Sequence, residues 1–84
     1  MKYELNERGV FLKDRNYILA ELDYKKINDD TYDIYHTYVD ESLRKKGIAS
    51  KLVEKAYEYI KNNNCNVIAS CSYAKKWLEE NSKK

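Results

Sequence analysis

Arg44, Lys45, Lys46 and Lys51 place four basic side chains within eight residues that contain no acid, and Gly47, one of only two glycines in the chain, sits among them. Ile48, Ala49 and Ser50 follow and open the most regular amphipathic run in the sequence. A basic, glycine-containing loop that starts a helix is a device for binding anions. The first backbone N–H groups of the helix lack partners, the dipole presents its positive end, and small residues let an anion reach the backbone. Phosphate or pyrophosphate is the ligand this chemistry suits. The same residues also read as a solvated loop with a turn glycine. Two other phosphate-binding patterns, GxxxxGK[ST] and GxGxxG, are absent.

Two further side chains carry chemistry. Cys71 falls where a short β-branched stretch gives way to a helical one, so the helix dipole favours its thiolate, which can accept an acyl group. The plainer alternative is a small buried apolar residue, the usual state of a free cysteine. His36 is the only histidine. It can take a proton from an amine, whose own pKa lies near 10.4, or help to ionise Cys71. It also shares an expected strand face with Tyr32, Ile34 and Tyr38, where a hydrogen-bonded packing histidine is the ordinary outcome. Cys65 has no comparable placement and reads as structural.

The two cysteines match no zinc spacing, and no metal site is expected. If the segment between them is extended, their Cα atoms lie about 20 Å apart at ~3.3 Å per residue, beyond the roughly 7 Å reach of a disulfide. Two free thiols suit a reducing, cytoplasmic setting.

The elements that must position these residues follow from periodicity. From Ile48 to Ile60 the apolar residues recur at helical spacing, with Lys51, Glu54, Lys55, Glu58 and Lys61 opposite, and Asn62 to Asn64 supply the stop. Tyr3 to Lys13 alternates on either side of Gly9, which suggests a hairpin turning at Arg8 and Gly9. Tyr17 to Tyr24 and Thr31 to Val39 read as antiparallel strands joined by the polar link KKINDD. Asn66 to Ser70 reads as a short strand, and Ser72 to Asn81 as a helix burying Tyr73, Trp77 and Leu78. The order is β-β-β-β-α-β-α: an α+β domain with a mixed, mostly antiparallel sheet of about five strands, packed by two helices.

Residues 1–84 allow one domain and no second core. Sixteen basic against 14 acidic residues leave a net charge of +2, and 43% hydrophobic with 36% charged residues describes a globular chain. No apolar run reaches membrane-spanning length, and the start has no apolar core like that of a signal peptide. Nine tyrosines beside a basic loop raise nucleic-acid binding, with Tyr24-Lys25-Lys26 and Tyr73 to Trp77 as the only candidate stacking platforms, but most of the tyrosines lie in strand patterns where packing is the ordinary outcome, so nucleic acid is not the expected partner.

Arg44, Gly47 and Ala49 fit the R/Q-x-x-G-x-G/A signature of the GNAT superfamily of acyl-CoA N-acyltransferases. The wider stretches HTYVDESLRKKGIASKLVEKAYEYI and IASCSYAKKWL, from His36 to Leu78, resemble the minimal single-domain members of that family. The resemblance implies a truncated GNAT-like fold. It further implies that Arg44, Lys45, Lys46, Gly47, Ile48, Ala49 and Ser50 hold the coenzyme A pyrophosphate. The pantetheine arm would lie between the edges of Thr37, Tyr38 and Val39 and of Ile68 to Ser70, bonded as an additional strand would be. The thioester of acetyl-CoA would then sit beside His36 and Cys71, the candidate catalytic pair. The implied acceptor is an amine, either a protein lysine or a polyamine, and the implied state a monomer or weak dimer. Two departures stand out. Over CSYAKKWL, Leu78 occupies the position where larger family members carry a tyrosine acid, and Asp40 stands where the minimal members often carry proline. A coenzyme A-binding regulatory module without turnover is the alternative.

Overall fold

The computed structural model describes residues 1–81. The first alternating stretch forms two strands, β1 (Lys2–Asn6) and β2 (Gly9–Asp14), paired antiparallel. Their turn falls on Glu7 and Arg8, one residue earlier than the alternation suggests. The Asn6 side-chain Oδ1 accepts the Arg8 N–H at 2.8 Å and so makes the turn itself. Gly9 lies within β2 for a different reason: a Cβ there would collide with the Leu22 carbonyl oxygen of the neighbouring strand.

That neighbour, β3 (Tyr17–Asn28), is longer than its apolar pattern. Lys25 and Lys26 pair with Asp33 and Tyr32, and Asn28 pairs with Thr31, so the expected KKINDD link is mostly strand. Only Asp29 and Asp30 remain to turn, with Asn28 Oδ1 accepting the Asp30 N–H at 3.0 Å. The hairpin tip runs past the core, so its side chains are exposed and carry no apolar signal.

β4 (Thr31–Val39) pairs with β3 antiparallel and with β5 (Asn66–Ala69) parallel. Between β4 and β5 the chain forms a short 3₁₀ turn, Glu41–Leu43, and helix α1 (Ile48–Asn62). Helix α2 (Ser72–Asn81) follows β5. The sheet order β1-β2-β3-β4-β5 is the expected mixed, mostly antiparallel sheet.

Both helices cover one face of this sheet. Val10, Leu12, Ala20, Leu22, Tyr24, Tyr32 and Ile34 meet Leu52, Val53, Ala56 and Ile60 of α1 and Ala74 of α2 in one buried cluster. Tyr24 stacks on Tyr59, meets the edge of Tyr32, and donates its hydroxyl to the Asn6 carbonyl at 2.6 Å. Burial pushes its phenol well above the usual range, with Tyr59 and Tyr32 adding to the shift. This burial removes Tyr24-Lys25-Lys26 as a stacking platform. In α2 the buried residue is Ala74, while Trp77 and Leu78 are half-buried and Tyr73 is exposed, against the expectation that all three large residues bury. Asn63 and Asn64 end α1 as expected: Asn64 is left-handed (φ 61) and the Asn63 side chain donates to the Tyr59 carbonyl at 2.8 Å. Among the described residues no helix is long and apolar enough to cross a membrane.

Because the Leu22 carbonyl closes over Gly9, Gly9→Ala must push β2 and β3 apart at the centre of the sheet. We expect a loss of about 2–3 kcal/mol, read as a lower urea midpoint at unchanged slope.

Candidate functional site

The site is organised by a change of parity in β4. Tyr24 pairs with Ile34 and Asp23 with His36, so Tyr35 is an extra residue, a β-bulge. Before it, Tyr32 and Ile34 face the helices. After it, Thr37 and Val39 do, paired with the buried Leu22 and Ala20. His36 and Tyr38 therefore turn to the uncovered sheet face, where both are exposed. This corrects the expectation that His36 and Tyr38 continue the apolar face of Tyr32 and Ile34. A simple period of two cannot anticipate an inserted residue.

The same region is where β4 loses its neighbour. Pairing with β5 ends at Ile34 and Ala69, and the Ile34 carbonyl accepts both the Ser70 and the Cys71 N–H, each at 3.1 Å. Asp33 secures the junction by accepting the Ser70 N–H at 2.9 Å and its hydroxyl at 2.7 Å. Tyr35–Val39 then form a free edge. Ile68 to Ser70, expected to form the opposite free edge, are instead hydrogen-bonded to β4, and the splay opens at Cys71.

Cys71 is the N-cap of α2, its carbonyl accepting the Lys75 N–H at 2.9 Å. Its sulfur lies 3.4 Å from the Thr37 hydroxyl. Partial burial pushes the thiol up, but the Thr37 hydroxyl and the backbone N–H groups of Ala74, Tyr73 and Thr37 outweigh it, and the net shift is downward. The thiol's partner is thus Thr37. His36 lies on the other face of the strand, beside Asp23 and Glu21, so the expected help of His36 in ionising Cys71 has no counterpart in the geometry. Glu21 is held above the usual carboxyl range by burial and by Asp23, with His36 opposing the shift.

Beyond the free edge the basic loop closes the site. Asp40 caps the 3₁₀ turn by accepting the Ser42 N–H at 3.1 Å and hydroxyl at 2.5 Å, and so turns the chain at the end of β4. These bonds hold its carboxyl below the usual range, helped by Tyr38 and Arg44. Leu43 anchors the loop in the core. Arg44 donates from Nε to the Val39 carbonyl at 3.4 Å, joining the loop to the end of β4. Lys45 and Gly47 both adopt left-handed backbone (φ 67 and 75). Gly47 is the N-cap of α1, and a Cβ there would meet nothing within 4 Å, so the space over the helix start is open.

The first intrahelical bond of α1 is Lys51 N–H to the Gly47 carbonyl at 3.1 Å, which leaves the N–H groups of Ile48, Ala49 and Ser50 without helical partners. Val39, Leu43, Arg44, Lys45, Gly47, Ile48, Ala49 and Tyr73 line a depression of about 260 Å³. Lys46 is exposed beside it. Ser50 accepts the Trp77 indole N–H at 3.0 Å, a brace that fixes α2 against the start of α1. Tyr73 and Thr37 are the residues whose placement sequence reasoning missed. Tyr73 stands two positions after the N-cap, in an exposed first turn, and Thr37 depends on the bulge.

The structure thus gathers Val39, Arg44, Lys45, Gly47, Ile48 and Ala49 around the depression, while Thr37 and Cys71 meet each other at the free edge of β4 and Ser50 braces α2. It sends His36 and Tyr38 to the opposite face. Cys65 is buried, and among the described residues no group of acids, histidines and cysteines could hold a metal. We expect iodoacetamide at pH 7 to alkylate Cys71 at least about ten-fold faster than Cys65; peptide mass spectrometry reads both rates, and equal rates would contradict the assignment.

Comparison with known proteins agrees with this geometry. The family model for GCN5-related N-acetyl-transferases matches residues 2–84. Protein NATD1 of Xenopus tropicalis is 31% identical over 62 residues, which cover 74% of this chain and 57% of that protein. The chain therefore spans little more than half the length of this curated relative. The solution structure of a GCN5-like candidate N-acetyltransferase from Staphylococcus aureus superposes with a TM-score of 0.77 at 32% identity, covering 98% of this chain and 81% of the other. A candidate GNAT-family acetyltransferase from Desulfovibrio desulfuricans shares the fold, with a TM-score of 0.64 at 17% identity over 71% of this chain and 40% of the other. With a family match across nearly its whole length and the signature loop at the start of α1, the chain belongs to the GCN5-related N-acetyltransferase family.

Proposed function

We propose that the protein is an acetyl-CoA-dependent N-acyltransferase that transfers an acetyl group to an exposed amine, a protein lysine or a polyamine. The observation that carries this reading is the order of three features along β4 and the helix starts. Three partnerless N–H groups under an open Gly47 lead along the free edge of β4 to Cys71. A pyrophosphate needs the first feature, an extended amide-bearing arm the second, and a thioester a reactive group at the third.

The residues fit coenzyme A. The N–H groups of Ile48, Ala49 and Ser50 would receive its pyrophosphate, with Arg44, Lys45 and Lys46 adding charge. Backbone groups of Thr37, Tyr38 and Val39 would bond the pantetheine arm, which is indifferent to the outward turn of the Tyr38 side chain. When bound, acetyl-CoA supplies an activated acyl group. Cys71, whose thiol Thr37 and the α2 N–H groups pull downward, is placed to accept it: its sulfur, once ionised, would bond to the acyl carbon as the coenzyme A thiolate leaves. The amine would then attack the same carbon, lose a proton and release the Cys71 sulfur as the new amide forms.

His36, on the uncovered face of β4, would take that proton only from an amine that approaches from that face. An alkyl ammonium with a pKa near 10.4 is neutral in less than about one molecule in a thousand at pH 7, so a base assists attack. His36 is exposed on the sheet face that no helix covers, which lets an amine on an extended chain reach it. A second reading, a coenzyme A-binding module without turnover, is favoured by Leu78, half-buried where larger relatives carry a tyrosine acid.

Calorimetric titration with acetyl-CoA tests both readings. Binding is expected for the native chain and at least about ten-fold weakening for Gly47→Val, since a β-branched side chain disfavours positive φ and fills the anion space. No binding by the native chain would end both readings. Binding with an acetyl adduct on Cys71 and transfer to an amine would establish the first; binding without transfer would establish the second. His36→Ala is expected to slow transfer while leaving binding unchanged.

A further inference from the structure

The bulge at Tyr35 decides which β4 side chain faces the sulfur, and the residue it selects is a threonine. Without the extra residue, alternation would bring His36 to the helix face. With it, Thr37 arrives there, register-paired with the buried Leu22, and its half-buried hydroxyl finds Cys71 Sγ at 3.4 Å. No buried side-chain polar atom among the described residues lacks a partner. Val39, the next residue on this face, has no group to donate.

We propose that Thr37 is a positioning residue for Cys71, holding the sulfur toward the cleft in both of its protonation states. Either atom of the pair can be the donor. As a thiol, Cys71 donates its S–H to the Thr37 oxygen. As a thiolate it has no proton, and the Thr37 O–H rotates to donate to it. The contact therefore survives loss of the proton, and the sulfur keeps its place while gaining its charge. The backbone N–H groups of Ala74, Tyr73 and Thr37 also favour the charged sulfur. Those from α2 belong to any helix N-cap. The side-chain donor exists only because of residue 37. As a β-branched residue in a strand, Thr37 has a stiff χ1, so little rotamer freedom is lost in aiming its hydroxyl.

The catalytic meaning of this role rests on Cys71 being the acyl acceptor, but the positioning can be tested separately. The full chain, free of coenzyme, is treated with iodoacetamide from pH 5 to 10, and Cys71 alkylation is followed by mass spectrometry. Thr37→Val keeps the shape and removes the hydroxyl. Hydrogen bonds to charged groups lie near the strength that changes an equilibrium ten-fold, so alkylation at pH 7 should fall about ten-fold. The rate-against-pH curve should move to higher pH and reach the same plateau.

Thr37→Ser should restore most of the native profile, and Thr37→Ala should behave like Thr37→Val. A Thr37→Val curve that overlies the native one would overturn the proposal. So would a Thr37→Ser curve matching Thr37→Val, since packing of the methyl group would then be the cause. Thermal melts confirm that the variants compared are folded. A shifted alkylation curve in a protein that acetyl-CoA never acetylates would retire Cys71 as acyl acceptor and leave Thr37's action on the thiol standing.

Discussion

One carbonyl oxygen, that of Ile34, is where this sheet stops being a sheet. It accepts the N–H groups of both Ser70 and Cys71 and so marks the last bond between β4 and β5. Upstream of it the two strands are zipped in parallel register. Downstream, β4 continues for five more residues paired with β3 but with no strand on its other side, while the end of β5 turns at once into α2. A cleft bounded by unpaired strand backbone on one side and a helix N-terminus on the other is the unavoidable result. Backbone hydrogen bonds left unmade in one place are what a ligand with amides of its own can take up.

The bulge and the basic loop are both arranged about that opening. The extra residue at Tyr35 reverses the parity of β4 as its partner departs, so the strand presents Thr37 and Val39 to the cleft and His36 to the uncovered face. Cys71 and His36, the proposed acyl acceptor and the proposed base, consequently stand on opposite sides of one strand. The loop is held by unlike means: Asp40 as a cap, Leu43 as an apolar anchor, Arg44 bonded to the end of β4, and Gly47 in a left-handed conformation. Together they bring the start of α1 to the end of the free edge. The Trp77–Ser50 bond then fixes α2, and with it Cys71, against the same helix start.

Much of this was legible in the residues. Helix α1 was readable because its apolar stripe is long and regular, and its termination because three asparagines follow one another. The basic loop was readable because four positive charges and a glycine at a helix start are a local arrangement that requires no distant partner. Cys71 at a helix start was legible for the same reason. Less visible were features whose cause lies on another strand. Gly9 looks like a turn residue, yet it is demanded by the Leu22 carbonyl. Lys25 to Asn28 look like a loop, yet they are strand because Thr31 to Asp33 pair with them.

The amino-acid sequence by itself determined the element order, the core-facing stripe of α1, the charge and conformational freedom of the loop at Gly47, and the placement of a thiol at the start of α2. Each is set by neighbours within a few residues, through periodicity, capping or backbone freedom. Only the tertiary structure decided that Thr37 rather than His36 meets Cys71, that Ile68 to Ser70 are bonded rather than free, and that Tyr73 is exposed at the cleft. Those outcomes depend on strand register. A single inserted residue exchanges the two faces of a strand without leaving a mark in the local pattern, because which residue is left unpaired is settled by the partner strand's hydrogen bonds.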